Sequence, residues 1–219
     1  MPIVSGREYR NMTVRALSEN EAQDEEKRVV TGYASTFEEP YLLFGWDGVE
    51  YYEVIDRGAF DETDMSDVIM QYDHRGRVFA RTRNNTLEVG SDDKGLFIRA
   101  DLGGTEIGRE LYEEIRGGYT DRMSFGFTVN GEYEESRKDE NGLRIYTRHI
   151  TSVEKLYDVS EVSLPANEGT SIEADATTRS IGSISDGLIE RIQAERLEEE
   201  RLALERRRAE VRARALGKE

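Results

Sequence analysis

Acyl transfer by a side chain needs three kinds of group: a hydroxyl that attacks, a base that takes its proton, and an acid that orients the base. The base is usually histidine, because its pKa lies near working pH. This 219-residue chain has only two, His74 and His149. The serine to weigh against them is Ser124, within Asp121-Arg122-Met123-Ser124-Phe125-Gly126-Phe127-Thr128-Val129. Met123, Phe125, Phe127 and Val129 alternate with Ser124, Gly126 and Thr128, the pattern of a β-strand with one apolar face. A serine beside glycine, opposite that bulky stripe, is placed where a substrate can approach its hydroxyl. The ordinary alternative is a small polar strand residue.

His74 follows Asp73 at the end of the short apolar run Val68-Ile69-Met70-Gln71-Tyr72, a place from which a side chain projects into a cleft. A surface-loop histidine fits the same residues. His149, among Arg148, Ile150 and Thr151, reads as a strand-surface residue. For the acid, Asp158 stands out between Tyr157 and Val159 because it interrupts an apolar-rich strand. Spacing alone does not choose it over Glu154 or Glu161. The separations between residues 74, 124 and 158 mean that such a site is assembled by strand packing and is no local motif.

Other chemistries are weaker. The chain has no cysteine, which removes disulfides and thiolate metal sites, and no His-Glu-x-x-His spacing exists. A carboxylate-rich metallohydrolase built on His74, His149 and Asp73 remains as a rival. Gly103-Gly104 and Gly117-Gly118 are turns or caps, since no Gly-Lys-Ser/Thr follows them. The Gly-x-Ser-x-Gly elbow is absent. A net charge of −16 argues against nucleic-acid binding. No stretch approaches the roughly 18–20 apolar residues of a membrane span, and no signal-peptide run opens the chain, so a cytoplasmic protein is expected.

The elements that must position these residues are mostly strands. A possible strand covers Met12, Val14 and Ala16, and residues 28–37 are β-branched and aromatic. Gly45 to Gly48 reads as a loop around Trp46; Tyr51 to Ile55 and Val68 to Tyr72 read as strands. Residues 86–89 and 96–102 flank a hairpin turn. Thr105 caps a helix in which Ile107, Leu111 and Ile115 recur every four residues until Gly117-Gly118. Asn130-Gly131 is expected to bend the chain out of the Ser124 strand, with residues 132–142 as a polar excursion. The expected class is mainly β with α (α+β).

Three regions are expected: a domain over 1–169, a polar linker over 170–186 and a charged helical tail over 187–219. In the tail Arg191, Arg196, Arg201 and Arg206 each have a glutamate four residues on, which supports an exposed helix. Leu197, Leu204 and Val211 share a heptad position, but Arg201 and Arg208 occupy its partner, which disfavours a two-stranded coiled coil. Residues 188–219 hold nine basic and eight acidic side chains, so the acidity lies in the rest of the chain.

Several of these stretches together resemble the prohead (capsid maturation) proteases of tailed bacteriophages. The matching features occur in the family's order over roughly residues 10–170. They are Val30-Thr31-Gly32-Tyr33-Ala34, Glu53-Val54-Ile55 with Gly58-Ala59-Phe60-Asp61, the strand ending in His74, and the Gly95-Leu96 hairpin. Met123-Ser124-Phe125-Gly126-Phe127 and Asp158-Val159-Ser160 leading to Pro165-Ala166-Asn167 complete the set. The resemblance implies a herpesvirus-protease-like closed β-barrel with surrounding helices, and a serine endopeptidase without cofactor or metal. It makes Ser124 the nucleophile, His74 the base and Asp158, where the family usually has Glu, the acid. His149 is a lesser candidate, because the distant herpesvirus enzymes use a second histidine.

The implied substrates are the scaffolding portion of the major capsid protein and the protease itself. The implied location is the immature capsid (prohead) in the host cytoplasm, with neither nucleic acid nor membrane as partner. On this reading the tail recruits the enzyme into the prohead and is removed by self-cleavage. The alternative is a non-enzymatic assembly or scaffold protein.

Overall fold

A computed structural model describes residues 6–12, 17–18, 28–162 and 176–216. The chain divides into two compact units, Met1–Ile181 and Gly182–Glu219. The described elements are mainly strands with two α-helices, as the α+β class requires.

The first unit is organised on a long antiparallel hairpin, β10 (Arg122–Lys138) and β11 (Arg144–Val162). β1 (Glu8–Met12) pairs antiparallel with the free edge of β10. The other edge of β11 serves two partners in turn. Its first half runs parallel to β5 (Val49–Ile55), which continues to β4 (Tyr41–Trp46). Its second half, Asp158 to Glu161, runs parallel to β6 (Ile69–Tyr72), which pairs with β7 (Arg75–Arg81). A second sheet holds β2 (Leu17–Ser18), β3 (Val29–Thr36), β9 (Gly95–Asp101) and β8 (Leu87–Ser91), in that order.

The core lies between these layers. Met123, Phe125 and Phe127 from β10, Ile150, Val153, Leu156 and Val159 from β11, and Leu96 and Ile98 from β9 are buried there. α1 (Glu106–Gly117) adds Leu111 and Ile115. Its Thr105 hydroxyl accepts the Gly108 N–H, and Gly118, in the left-handed region at φ 73°, ends it.

Among the described residues the two sheets do not close into one barrel: β3 lies beside β1 and β10 but shares no ladder with them. Several local expectations need correction. Asn130-Gly131 does not bend the chain out of its strand. β10 runs on to Lys138, and register shifts between Gly126 and Glu132 absorb the irregularity as bulges. The Trp46 loop is instead the end of β4, joined to β5 through Asp47 and Gly48, both at positive φ. The first strand is Glu8–Met12, so Val14 and Ala16 of the expected strand fall outside the described residues.

The second helix, α2 (Ala176–Leu216), takes in residues 176–186 of the stretch read as linker. Along it Arg201 bonds Glu198 at 2.6 Å and Glu205 at 2.7 Å. Leu197, Leu204 and Val211 are exposed.

Candidate active site

Ser124 sits mid-sheet on β10, opposite Ser160 of β11 and Asn11 of β1. Strand alternation sends Met123 and Phe125 into the core and leaves Ser124 and Gly126 on the other face. That face is closed in this conformation. Ser124 has no solvent-exposed surface, where the sequence pattern led us to expect an approachable hydroxyl.

His74 reaches Ser124 from the β6–β7 connection. Tyr72 pairs with Arg75, so Asp73 and His74 form a two-residue turn, with φ of 48° and 58°. Positive φ at both central positions is the mirror-image turn that matches strand twist and normally takes Asn or Gly. The Asp73 N–H donates to the Glu161 carbonyl at 2.9 Å and seats the turn on β11.

From that turn the imidazole bridges two groups. His74 Nε2 lies 2.5 Å from Ser124 Oγ, and Nδ1 contacts Asp158 Oδ1. Ser160 Oγ donates to the same Asp158 oxygen at 2.8 Å. The three residues singled out from the sequence are thus brought into one hydroxyl–imidazole–carboxylate series. Such a series can pass a proton from serine to histidine while the carboxylate faces the resulting imidazolium.

β1 completes the surroundings. The Ser124 hydroxyl also lies 2.7 Å from the Arg10 carbonyl, so its single proton has two acceptors within reach. The Tyr9 ring meets His74 edge-on, with centroids 4.5 Å apart. Arg7 lies 3.7 Å from the centre of the Tyr157 ring and 3.8 Å from Asp158 Oδ2. A Cβ on Gly126 would run into the Asp158 carboxylate and lie 2.7 Å from the Tyr9 ring, which is why no larger residue fits there.

The alternate side chains of β1 point into a buried charge cluster. Arg10 donates to Glu53 at 2.6 Å and Glu8 at 2.5 Å. Arg148 donates to Glu8 at 2.7 Å, Glu53 at 2.8 Å and Glu132 at 2.6 Å, and Tyr41 also bonds Glu53. Burial disfavours the Glu53 charge, but the Arg10 and Arg148 guanidinia outweigh it and hold the carboxyl below its usual range. The cluster fixes β1, and with it the Arg10 carbonyl beside Ser124.

His149 stands apart. Its Nδ1 is 2.8 Å from Asp56 and its ring stacks on Tyr133 with centroids 4.4 Å apart. It lies nine residues before Asp158 on β11, roughly 30 Å of strand path. His149, His74 and Asp73 therefore do not converge, and no group of three or more metal-ligating side chains occurs among the described residues.

Beside the His74 turn, a cavity of about 500 Å³ opens between β6–β7 and α1. Tyr72, Phe79, Ile107 and Leu111 line it, with Arg75 and Glu110 among its charged groups.

The sequence reading missed Arg7, Tyr9, Arg10 and Ser160. A signal existed only for Ser160, which is two residues from Asp158 and so on the same face of the strand.

No curated protein and no solved structure matches the chain. A family model described as caudovirus prohead serine protease matches residues 14–185, a span that includes Ser124, His74 and Asp158. With most of its length matched, the chain belongs to the caudovirus prohead serine protease family and is a serine endopeptidase of capsid maturation.

Proposed function

We propose that Ser124 is the nucleophile of this protease, His74 its general base and Asp158 the acid that orients His74. The observation that carries the reading is the contact series Ser124 Oγ–His74 Nε2 and His74 Nδ1–Asp158 Oδ1. Nε2 takes the serine proton as Oγ attacks the scissile carbonyl, giving a tetrahedral adduct and then an acyl-enzyme. The same nitrogen returns the proton to the leaving amine. Water, deprotonated in turn by His74, releases the acid product. Because Ser124 is buried, substrate entry requires a local opening of this face. The cavity beside His74, lined by apolar Phe79, Ile107 and Leu111 and charged Arg75 and Glu110, offers both kinds of contact to a substrate side chain.

The substrates on this reading are the scaffolding portion of the major capsid protein and the protease itself, cut inside the immature capsid in the host cytoplasm. Residues 170–186 link the protease domain, 1–169, to a docking tail, 187–219, which self-cleavage removes. Support comes from family membership and from α2, which carries many exposed charged side chains together with the exposed Leu197, Leu204 and Val211.

Co-expression with the cognate capsid protein tests both levels. Ser124→Ala is expected to abolish capsid-protein cleavage while shells still assemble, and to leave the protease at full mass. An unchanged cleavage pattern refutes the role of Ser124. Loss of the tail from Ser124→Ala refutes self-processing.

A further inference from the structure

A buried carboxylate is tolerated only where donors compensate its lost hydration. The Asp158 side chain is 2% exposed. Its Oδ1 meets two donors, His74 Nδ1–H and Ser160 Oγ–H. Its Oδ2 faces the position where Gly126 lacks a Cβ, and the cation paired with it among the described residues, Arg7, is 3.8 Å away and 41% exposed. Ser160 is itself fully buried, directly opposite Ser124 in the β10–β11 register. The bond to Asp158 is the one its hydroxyl makes among the described residues.

We propose that Ser160 is a positioning residue of the protease, whose hydroxyl holds the Asp158 carboxylate in the rotamer that keeps His74 Nε2 on Ser124. The proposal rests on the triad reading above. The terminal torsion of aspartate is broad and roughly two-fold, so a single hydrogen bond to His74 does not fix the plane of the carboxylate. A second donor on the same oxygen, from a residue locked in the sheet, does fix it.

The proton inventory points the same way. Ser160 has one hydroxyl proton and gives it to Oδ1. An ionised carboxylate oxygen only accepts, so Oδ1 takes a hydrogen bond from each neighbour; with the hydrogen on Nδ1, the Nε2 lone pair faces the Ser124 hydroxyl. Without Ser160 the carboxylate is free to turn either oxygen to His74, and the imidazole loses its fixed tilt. Small misplacements of this kind are expensive in rate even where binding is untouched.

The test uses the full chain and a fluorophosphonate probe, which reports Ser124 reactivity without a known substrate. Labelling rate is read by intact mass, and the far-downfield proton resonance of the His74–Asp158 bond by NMR. Ser160→Ala is expected to label roughly 10-fold more slowly, with that resonance lost or shifted. Ser160→Thr, which keeps the hydroxyl, is expected to restore both. With the capsid substrate, kcat falls and KM stays.

Wild-type labelling and an unmoved resonance in Ser160→Ala overturn the proposal. A folded Ser160→Thr as slow as the alanine variant also overturns it, because the hydroxyl is then not the agent. Should Ser160→Ala fail to fold, Ser160→Cys, a weak donor of similar size, decides: slow labelling supports the proposal and full-rate labelling refutes it. Labelling of Ser124→Ala at the wild-type rate would instead sink the triad reading itself, an outcome distinct from all of these.

Discussion

Glu161 provides a quantitative check on how the site is built. It follows Ser160 on β11, opposite Met123, with no exposed surface. Its Oε1 accepts from Thr120 Oγ at 2.9 Å and from the Arg122 N–H at 3.1 Å, while Oε2 has no partner among the described residues. Burial pushes the carboxyl up to about 7 from 4.5, and the two donors only partly oppose it. The unfolded chain releases this proton near pH 4.5 and the folded chain near 7, so between those values the folded state binds more protons. Stability conferred by the neutral carboxyl is therefore complete below about 4.5 and lost as pH rises through about 7. At about 1.36 kcal/mol per pKa unit, the full loss is on the order of 3 kcal/mol. Glu161→Gln removes the titration and keeps an oxygen for Thr120 and Arg122. Urea unfolding of both proteins from pH 4.5 to 8.5 is expected to show near-equal stability at the acid end. At pH 8 the variant is expected to be ahead by about 1–3 kcal/mol, the lower figure allowing for the buried amide. A difference that does not change with pH, or one that favours wild type at pH 8, refutes the reasoning.

Three further perturbations probe other parts of the fold. Gly126→Ala places a methyl group against the Asp158 carboxylate and the Tyr9 ring. Fluorophosphonate labelling should fall at least roughly tenfold, with about 1–3 kcal/mol of stability lost to overpacking in urea. Arg148→Met removes three ionic contacts and leaves Glu8 and Glu53 sharing Arg10 alone in the interior. A loss of about 3–5 kcal/mol is expected by denaturant titration, the cost of stranding buried charge. Thr105→Ala takes the cap from α1, the helix that leads into β10. It should cost about 1 kcal/mol, seen as a lowered melting temperature with labelling at the wild-type rate.

Short-period patterns were legible in the sequence. The alternation of Met123, Phe125 and Phe127 marked the β10 core face, and Thr105, Leu111, Ile115 and Gly117-Gly118 marked α1 with its ends. Features that depend on distant partners were not legible. Asn130-Gly131 has turn chemistry, yet β10 stays paired with β11 on both sides of it, so the extra residues become bulges. The acids that matter, Glu8, Glu53 and Glu132, look like solvated charge among the chain's 46 acidic residues. Only the approach of Arg10 and Arg148 makes them interior groups. The role of β1 was hidden for the same reason: its Arg10 contact to Ser124 is made by a backbone carbonyl, which carries no side-chain signature.

Two hairpin turns of the large sheet, each of two residues, show where local preference gives way to the site. β4 and β5 are joined by Asp47-Gly48 and β6 and β7 by Asp73-His74, and all four residues have positive φ. The first pair is what such a turn prefers, since glycine adopts the left-handed region without a Cβ clash. The second uses histidine at the equivalent position, where a side chain costs about 1–2 kcal/mol in the backbone. Here the turn is tied to β11 through the Asp73 N–H, and the imidazole is sandwiched between Ser124 and Asp158 with Tyr9 against its ring. A turn of this type is also short and rigid, so the imidazole is aimed from two strands without a flexible arm. The residue that is wrong for the turn is thus the one on which the contact series depends.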